Sequence, residues 1–241
     1  MKQYEAVIEV MKKSGGYSTL GRLYREVPKV AGVQWGTKTP FASMRRIVQD
    51  SRFFFKIRPG LWALKECREE LPIGVLAKTT RQREELDHSY YQGLLVEIGN
   101  LKKYATAVPG QDRNKRFLDR PLGELATLSQ LPPFSYERFV RCASSVDVVW
   151  FNDRRMPSQL FEVEHTTDIK NSLLKFVELQ DFAARFCIVA DAARQREFES
   201  KLGAAAFRVL RNRVGFLDYE TVSVHHSRAY EVAAFEQQVG N

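Results

Sequence analysis

The chain has 241 residues, which is enough for one large domain or two smaller ones. Hydrophobic residues make up 44% of it and aromatic residues 12%, a composition that excludes a largely disordered chain. The three cysteines are widely spaced, so the sequence predicts neither a disulfide framework nor a zinc ribbon. It contains neither a signal-peptide pattern nor an apolar run of about 18 residues, so we expect a cytoplasmic protein without a membrane partner.

The positive charge of the chain is concentrated in its first quarter. The formal net charge is +8. The first 66 residues hold 13 Lys and Arg against 5 Asp and Glu, whereas the remainder holds equal numbers of both. A basic excess confined to one segment is typical of a region that binds a polyanion, and a merely solvated basic surface is the alternative.

Residues 1–66 predict three helices followed by a hairpin. Apolar residues at helical spacing predict the first helix, a second short helix is expected at about 18–27, and Thr39-Pro40 predicts the N-cap and first residue of a third. The runs RFFFKI and LWALKE, joined by a Pro-Gly turn, predict two paired strands. This is the order of a winged helix, whose third helix can enter the DNA major groove while the hairpin contacts the backbone.

The polar side chains on or near the third helix and the hairpin are the predicted contacts to double-stranded DNA. They are Lys38, Thr39, Ser43, Arg45, Arg46, Lys56 and Arg58. The stretch WGTKTPFASMRRIVQDSRFFFKIRPGLWAL resembles the HARE-HTH family, winged-helix modules found fused to restriction endonucleases and chromatin proteins. The resemblance covers about residues 1–65 and implies DNA binding. A winged helix used for protein contacts is the alternative.

Residues 67–86 are charged and poorly periodic, so we expect a linker between a domain at 1–66 and a second domain at 87–241. The second domain is predicted to begin with a helix from Ser89. The strands VDVVWF and LFEVEHTT follow, then a helix over 168–184, a strand RFCIVADA and a final strand within GFLDYETVSV. This order predicts an α+β or α/β domain whose central mixed sheet is flanked by helices.

Four carboxylates are predicted to meet in this second domain. Glu162 and Glu164 alternate with apolar residues along one strand, so their side chains lie on the same face. Asp147 lies one residue into the preceding strand, and Glu97 lies in the first helix. Clustered carboxylates repel one another, and a divalent cation removes that conflict. A set of oxygen ligands favours Mg²⁺, for which Mn²⁺ can substitute.

The segments VDVVWF and FEVEH resemble the PD-(D/E)XK nuclease core, whose pattern is an acid on one strand and acid-x-Lys on the next. The resemblance covers about residues 88–224. It implies that Asp147 and Glu162 bind the metal, that Glu97 is an accessory ligand, and that the protein forms a homodimer. No proline precedes Asp147, and Glu164 occupies the lysine position. A minority of restriction endonucleases carry glutamate there, so Glu164 is the third predicted catalytic residue.

Other interpretations of these residues stay open. The two glutamates could lie on a solvated face and pair with Lys170 or Lys175, and Lys175 could also replace the missing lysine. His165 is expected to pack or to form a hydrogen bond, and His225-His226 is expected at the surface.

The features together predict a Mg²⁺-dependent DNA endonuclease of the restriction or defence type. In this hypothesis a winged helix recognises DNA and a PD-(D/E)XK domain hydrolyses phosphodiester bonds. One alternative is a DNA-binding regulator with a catalytically inactive nuclease fold. A nuclease that processes RNA is another, and the predicted groove-reading helix disfavours it.

Overall fold

The computed structural model describes residues 1–36, 39–77, 79–166 and 168–239. For residues 238 and 239 it describes the backbone alone. The chain divides into two compact units. The first contains Met1–Lys78 and the C-terminal stretch from Ser223, and the second contains Thr79–Val222. The predicted division assigned all residues after 86 to one domain, whereas in the structure the final helix contributes to the first unit. No described helix is both long and apolar enough to span a membrane.

The first unit contains three short helices and a three-stranded antiparallel sheet. The helices are α1 (Gln3–Lys13), α2 (Leu20–Glu26) and α3 (Phe41–Ile47), and the strands are β1 (Tyr17–Thr19), β2 (Phe54–Arg58) and β3 (Leu61–Leu64). Strand β3 lies between β1 and β2 and pairs with both. The predicted order of three helices and a hairpin is therefore present, and β1 is an additional strand.

Local sequence determines where these elements begin and turn. The Thr19 side chain accepts a hydrogen bond from the backbone N–H of Arg22 and so caps α2. Gly60 turns the hairpin with a φ of 76°, a conformation that glycine adopts without steric cost. Helix α3 begins at Phe41 with Pro40 as its N-cap, one residue later than predicted. Proline fits either position because its fixed φ suits both the cap and the first helical turn.

The second unit is built on a five-stranded mixed sheet flanked by helices. Its helices are α4 (Thr80–Leu101), α5 (Leu122–Leu125), α6 (Glu137–Ala143), α7 (Ile169–Glu178), α8 (Gln195–Gly203) and the start of α9 (Tyr219–Val239). Its strands are β4 (Ala105–Ala107), β5 (Arg116–Phe117), β6 (Arg120–Pro121), β7 (Val148–Phe151), β8 (Pro157–Glu164), β9 (Arg185–Ala190) and β10 (Val214–Asp218).

The strand order in the sheet is β10-β9-β8-β7-β4. Strands β8, β9 and β10 run parallel, whereas β7 is antiparallel to both β8 and β4. Each parallel pair is joined by a helical crossover, α7 between β8 and β9 and α8 between β9 and β10. Strand β8 is central, so apolar side chains such as Leu160, Phe161 and Val163 are buried on both of its faces. The carboxyl end of β8 therefore lies in the interior of the unit.

Helix α4 is longer than predicted and packs on this sheet. The Thr79 side chain accepts a hydrogen bond from the backbone N–H of Gln82, so the helix starts inside the predicted linker. At Gly99 an added Cβ would lie 2.7 Å from Trp150 Nε1, so only glycine permits this approach of α4 to β7. The Trp150 indole donates a hydrogen bond of 3.1 Å to the Leu95 carbonyl, which fixes the helix on the strand.

Helix α9 corrects two expectations. The predicted final strand extended through GFLDYETVSV, but β10 ends at Asp218 and Tyr219 begins the helix. His226, expected at the surface together with His225, is 2% exposed because its ring packs against α2. A Cβ added to Gly21 would lie 2.8 Å from the His226 ring. The C-terminal helix thus completes the core of the first unit.

Candidate active site

A cleft of about 380 Å³ opens in the second unit at the carboxyl end of β8. Helix α4 and helix α7 form two of its walls, and the end of β8 with the residues just before β5, before β7 and after β8 forms the others. Its charged and polar lining includes Glu84, Glu85, His88, Lys115, Asp147, Glu162, Glu164, His165, Asn171, Ser172 and Lys175. The cleft is where ligands of parallel sheets commonly bind, outside the carboxyl ends of the strands.

Asp147 lies immediately before β7, not one residue into it. Because β7 and β8 are antiparallel, the start of β7 meets the end of β8. The Asp147 Oδ2 atom accepts a hydrogen bond of 2.7 Å from the backbone N–H of Val163. This bond fixes the carboxylate beside Glu162 and Glu164, as the sequence predicted for these three acids.

Glu162 is 3% exposed and is held by helix α7. Both of its carboxylate oxygens lie 2.9 Å from Lys175 Nζ, and Ser172 Oγ donates to Oε2 at 3.1 Å. Burial raises the pKa of Glu162 to about 8, with the negative charge of Asp147 adding to the effect and Lys175 opposing it. The alternative of a solvated sheet face is therefore wrong, whereas the ion pair with Lys175 is present.

Glu164 is 4% exposed and accepts a hydrogen bond from the same serine, Ser172. Burial raises the pKa of Glu164, and the charge of Asp147 raises it further, while the Ser172 hydrogen bond and Arg194 act in the opposite direction. Buried carboxyl groups with raised pKa values cluster at the functional sites of proteins, so these two glutamates mark the cleft as a candidate site.

Lys175 enters the site from helix α7, three residues after Ser172. Its ammonium also donates a hydrogen bond of 2.9 Å to the Ser145 carbonyl. Burial lowers the pKa of Lys175, but the carboxylates of Glu162, Asp147 and Glu164 together outweigh burial, so the net pKa is raised. Although Glu164 occupies the lysine position of the strand motif, a lysine ammonium is thus present in the site.

The sequence analysis did not identify Ser172, nor two further residues that lie beside Asp147. His88 Nε2 on helix α4 lies 3.4 Å from Asp147 Oδ1 and 3.8 Å from Asp112 Oδ2. Within the described ranges, these three residues are the one group of three His, Cys, Asp or Glu side chains whose donor atoms all lie within 4.8 Å of one another. Asp112 lies in a polar loop, 35 residues before Asp147 in the sequence, and no local sequence pattern predicts that it belongs to the site.

Glu97 is not brought to the cleft, which corrects the prediction that this acid is the one supplied by α4; the acids of α4 that line the cleft are Glu84 and Glu85. Glu97 follows His88 by nine positions, so it lies about 13 Å further along the helix axis. It is absent from the cleft lining, and His88 occupies the place expected for it. The error arose because α4 starts at Thr80, which places an earlier stretch of the helix over Asp147.

His165 forms a hydrogen bond, as predicted. Its Nδ1 atom lies 2.8 Å from the Tyr219 hydroxyl, and its backbone carbonyl accepts a hydrogen bond of 2.9 Å from Arg194. The imidazole also lines the cleft, and its ring centroid is 6.2 Å from that of His88. These contacts position the residue that follows Glu164.

In the first unit the predicted DNA contacts differ in their surroundings. Thr39, Arg46 and Lys56 are exposed, and Ser43 is half-buried. Arg45 forms an ion pair of 2.7 Å with Glu231 of α9, and Arg58 donates to the Val75 carbonyl at 2.9 Å. Lys38 lies outside the described residues.

Comparison with known proteins places the cleft within a recognised region. A family model described as the Type II restriction enzyme NmeDI C-terminal domain matches residues 70–236. The Type II restriction enzyme NmeDI of Neisseria meningitidis serogroup C is 25% identical over 123 residues, which is 46% of this chain and 35% of that protein. The alignment therefore spans about a third of the relative's length. No solved structure matches the chain significantly.

Proposed function

The chain belongs to the family of the Type II restriction enzyme NmeDI C-terminal domain, and from this premise we propose that it is a metal-dependent DNA endonuclease of the restriction type. The observation that carries the proposal is the cleft at the end of β8. Asp147, Glu162 and Glu164 line it together, and all three lie within the matched residues.

The topology supports a PD-(D/E)XK core as the framework of this site. An acid precedes β7, an acid-x-acid sequence ends β8, and the two strands are antiparallel neighbours. Two further parallel strands extend the sheet, with α4 and α7 beside the acids. In this arrangement Asp147 and Glu162 are the proposed metal ligands. Glu164 stands where the PD-(D/E)XK pattern has a lysine, and in this proposal Lys175 of α7 supplies the missing positive charge.

The donor set fits a divalent cation. Three carboxylates face one lysine ammonium, and burial raises the pKa values of both glutamates, so the cluster lacks the positive charge that would keep it ionised. A bound Mg²⁺ or Mn²⁺ would supply this charge and would also acidify water and stabilise charge on a phosphodiester. Oxygen ligands such as Asp147 and Glu162 suit Mg²⁺.

The side chains of the site have separate roles in the proposed hydrolysis. Glu164 accepts a proton or a hydrogen bond from the attacking water, which requires that it be ionised. Ser172 donates to both glutamates and so fixes their distance from each other. Lys175 presents its positive charge at the cleft, where it can stabilise the negative charge that develops on the phosphate oxygens.

The first unit is the proposed DNA-binding part. Its order of three helices and a hairpin, its basic excess and the exposure of Arg46 and Lys56 support a winged helix that reads double-stranded DNA. Cutting of both strands would require two sites, so we propose a homodimer.

A DNA-binding regulator with an inactive nuclease fold is the second candidate. The ion pair between Lys175 and both oxygens of Glu162 favours it, because this lysine competes with a cation for the same carboxylate. In that case Glu162 and Lys175 would serve the stability of the domain alone.

Cleavage assays separate the two candidates. The full chain is incubated with Mg²⁺ or Mn²⁺ and DNA of differing methylation, and any new ends are sequenced. An endonuclease gives defined ends that disappear in Asp147→Asn and persist in the matched variant Glu97→Gln. Tight DNA binding without cleavage under any of these conditions identifies the regulator instead.

A further inference from the structure

A second group of potential ligands lies at the wall of the cleft, formed by His88 and Asp147, which line the cleft, and the buried Asp112 behind them. We propose that His88, Asp112 and Asp147 form a cation position of their own, and that its imidazole ligand selects transition-metal ions such as Co²⁺ or Mn²⁺ over Mg²⁺. The proposal concerns binding of a cation in the absence of DNA. It therefore stands or falls independently of whether the protein cleaves DNA.

The distances between the three donor atoms carry the proposal. His88 Nε2 is 3.4 Å from Asp147 Oδ1 and 3.8 Å from Asp112 Oδ2, and both separations are too long for good hydrogen bonds. Ligand atoms bound at about 2.0–2.2 Å to one cation lie roughly 3.0–3.5 Å from each other in octahedral or tetrahedral geometry. The three donor atoms all lie within 4.8 Å of one another, so small side-chain movements, on the order of 1 Å, would bring them to such a cation.

The buried atoms around this group point to the same conclusion. His88 Nε2 is buried and, within the part of the chain that the structure describes, has no hydrogen-bond partner. Gln92 is fully buried beside it and its Oε1 atom also lacks a partner among the described residues. A buried imidazole nitrogen that faces two carboxylate oxygens without a hydrogen bond is well placed to bind a cation between them.

Gln92 and Lys115 contact the two aspartates in the way that second-layer residues contact metal ligands in known metal sites. Gln92 Nε2 donates to Asp112 Oδ2 at 2.8 Å and to the Asp147 carbonyl at 3.2 Å. Lys115 Nζ lies 2.6 Å from Asp112 Oδ1 and provides positive charge to an acid that is only 3% exposed. The Lys115 side chain is itself 46% exposed, so it can turn toward solvent when a cation neutralises Asp112. Partners of this kind orient ligands and tune their affinity.

The chemistry of the ligands determines which ions bind. Imidazole suits transition metals, whereas Mg²⁺ prefers oxygen ligands and loses its water reluctantly. For a site with nitrogen and oxygen ligands, affinity rises from Mn²⁺ to Co²⁺ along the first transition row. The His88 position therefore differs from the proposed position between Asp147 and Glu162, where an oxygen-only set would accept Mg²⁺.

The experiment titrates the full chain with Co²⁺ in the absence of DNA and records heat and visible absorption. We expect binding with a visible absorption band, and displacement of Co²⁺ by Mg²⁺ only at a large excess. His88→Ala should weaken Co²⁺ binding by roughly tenfold or more, because loss of even an outer partner of a ligand costs about 10–100-fold. The matched variant His225→Ala removes an exposed histidine of α9 and should leave binding unchanged.

Asp112→Asn is the second variant, since it keeps the size of the side chain if His88→Ala does not fold. It should also weaken Co²⁺ binding by roughly tenfold. The proposal is overturned if the parent chain does not bind Co²⁺, which would leave His88 as an ion-pair partner of the two aspartates. It is equally overturned if folded His88→Ala or Asp112→Asn binds as the parent does. Co²⁺ binding that depends on His88 in a chain that never cleaves DNA would instead refute the proposed endonuclease and leave this cation position standing.

Discussion

Exposed ion pairs occur in both units of the molecule, but the second unit also pairs acids that it buries. In the first unit the ion pairs lie at the surface; Lys12 and Glu66, for example, are each 57% exposed. In the second unit Glu162 and Asp112 are almost completely buried, and each depends on one lysine for an opposite charge. Exposed pairs contribute little to stability and are screened by salt, whereas buried carboxylates are costly unless they are paired. The comparison shows that basic side chains at the surface of the first unit are accessible to a polyanion. In the second unit, buried acids and their lysine partners are grouped at the cleft.

Removal of Asp147 is expected to have the largest effect on this organised site. Asp147→Asn should abolish cleavage and leave DNA binding in Ca²⁺ near normal or tighter, because the change removes a negative charge and keeps the shape. Cleavage of supercoiled DNA and an electrophoretic binding assay measure the two properties. Glu97→Gln is the matched control, since this acid of α4 lies outside the cleft. Normal cutting by Asp147→Asn would show that the buried acids of the second unit are structural only.

Glu164→Gln tests the proton-accepting role within the same cluster. We expect turnover to fall by about 100-fold or more, the scale of a general base, with DNA binding retained. Activity of the parent should also fall toward acidic pH as the glutamates take up protons. Single-turnover cleavage rates across pH measure both effects. Full activity of the variant would show that Glu164 is a buried carboxyl group without a catalytic role.

Arg46 and Arg45 test the first unit by a comparison of neighbours on α3. Arg46→Ala should cost about 1–3 kcal/mol of DNA-binding free energy if Arg46 contacts a base. Arg45→Ala should cost less, because Arg45 is already paired with Glu231. Fluorescence anisotropy at several salt concentrations measures these losses and the salt dependence that accompanies phosphate contacts. Parent-like DNA binding by Arg46→Ala at every salt concentration would refute the proposed contact between α3 and DNA.

The smallest expected effect is a pH dependence of stability in the metal-free protein. The pKa of Glu162 is about 8 when folded and about 4.5 when unfolded, so the folded state binds the proton more tightly. The free energy of unfolding should therefore decrease as pH rises from about 4.5 to about 8. Melting temperatures in the presence of a chelator should fall over this range. Glu162→Gln should flatten the slope, and Glu97→Gln should preserve it.

Much of the fold followed from local patterns. The helix-and-hairpin order of the first unit and the β7-β8 pair of the second were predicted because periodicity and turn residues agree there with the final packing. The alternation of Glu162 and Glu164 with apolar residues also predicted that they share one face. The final strand was extended too far, since the β-branched residues after Asp218 favour a strand but join a helix that packs on Gly21.

The missed parts of the site depend on contacts between distant segments. His88, Asp112 and Asp147 come from a helix, a loop and a strand end, and only tertiary packing brings them together. The sequence allows Lys175 to pair with the glutamates, but no sequence pattern determines whether a helical lysine points to solvent or to a buried acid. The prediction for Glu97 failed because a helix boundary shifted, and a shifted start changes which residue lies over a given strand.

The contribution of α9 to the first unit has a consequence for biosynthesis. The N-terminal helices and hairpin leave the ribosome early, but the residues that cover Gly21 follow about 200 positions later. At roughly 5–20 residues per second, this delay is about 10–40 s. During that interval the sheet with the cleft can already fold, while the α2 surface waits for its covering helix. The order of translation thus places completion of the unit with the cleft before completion of the basic one.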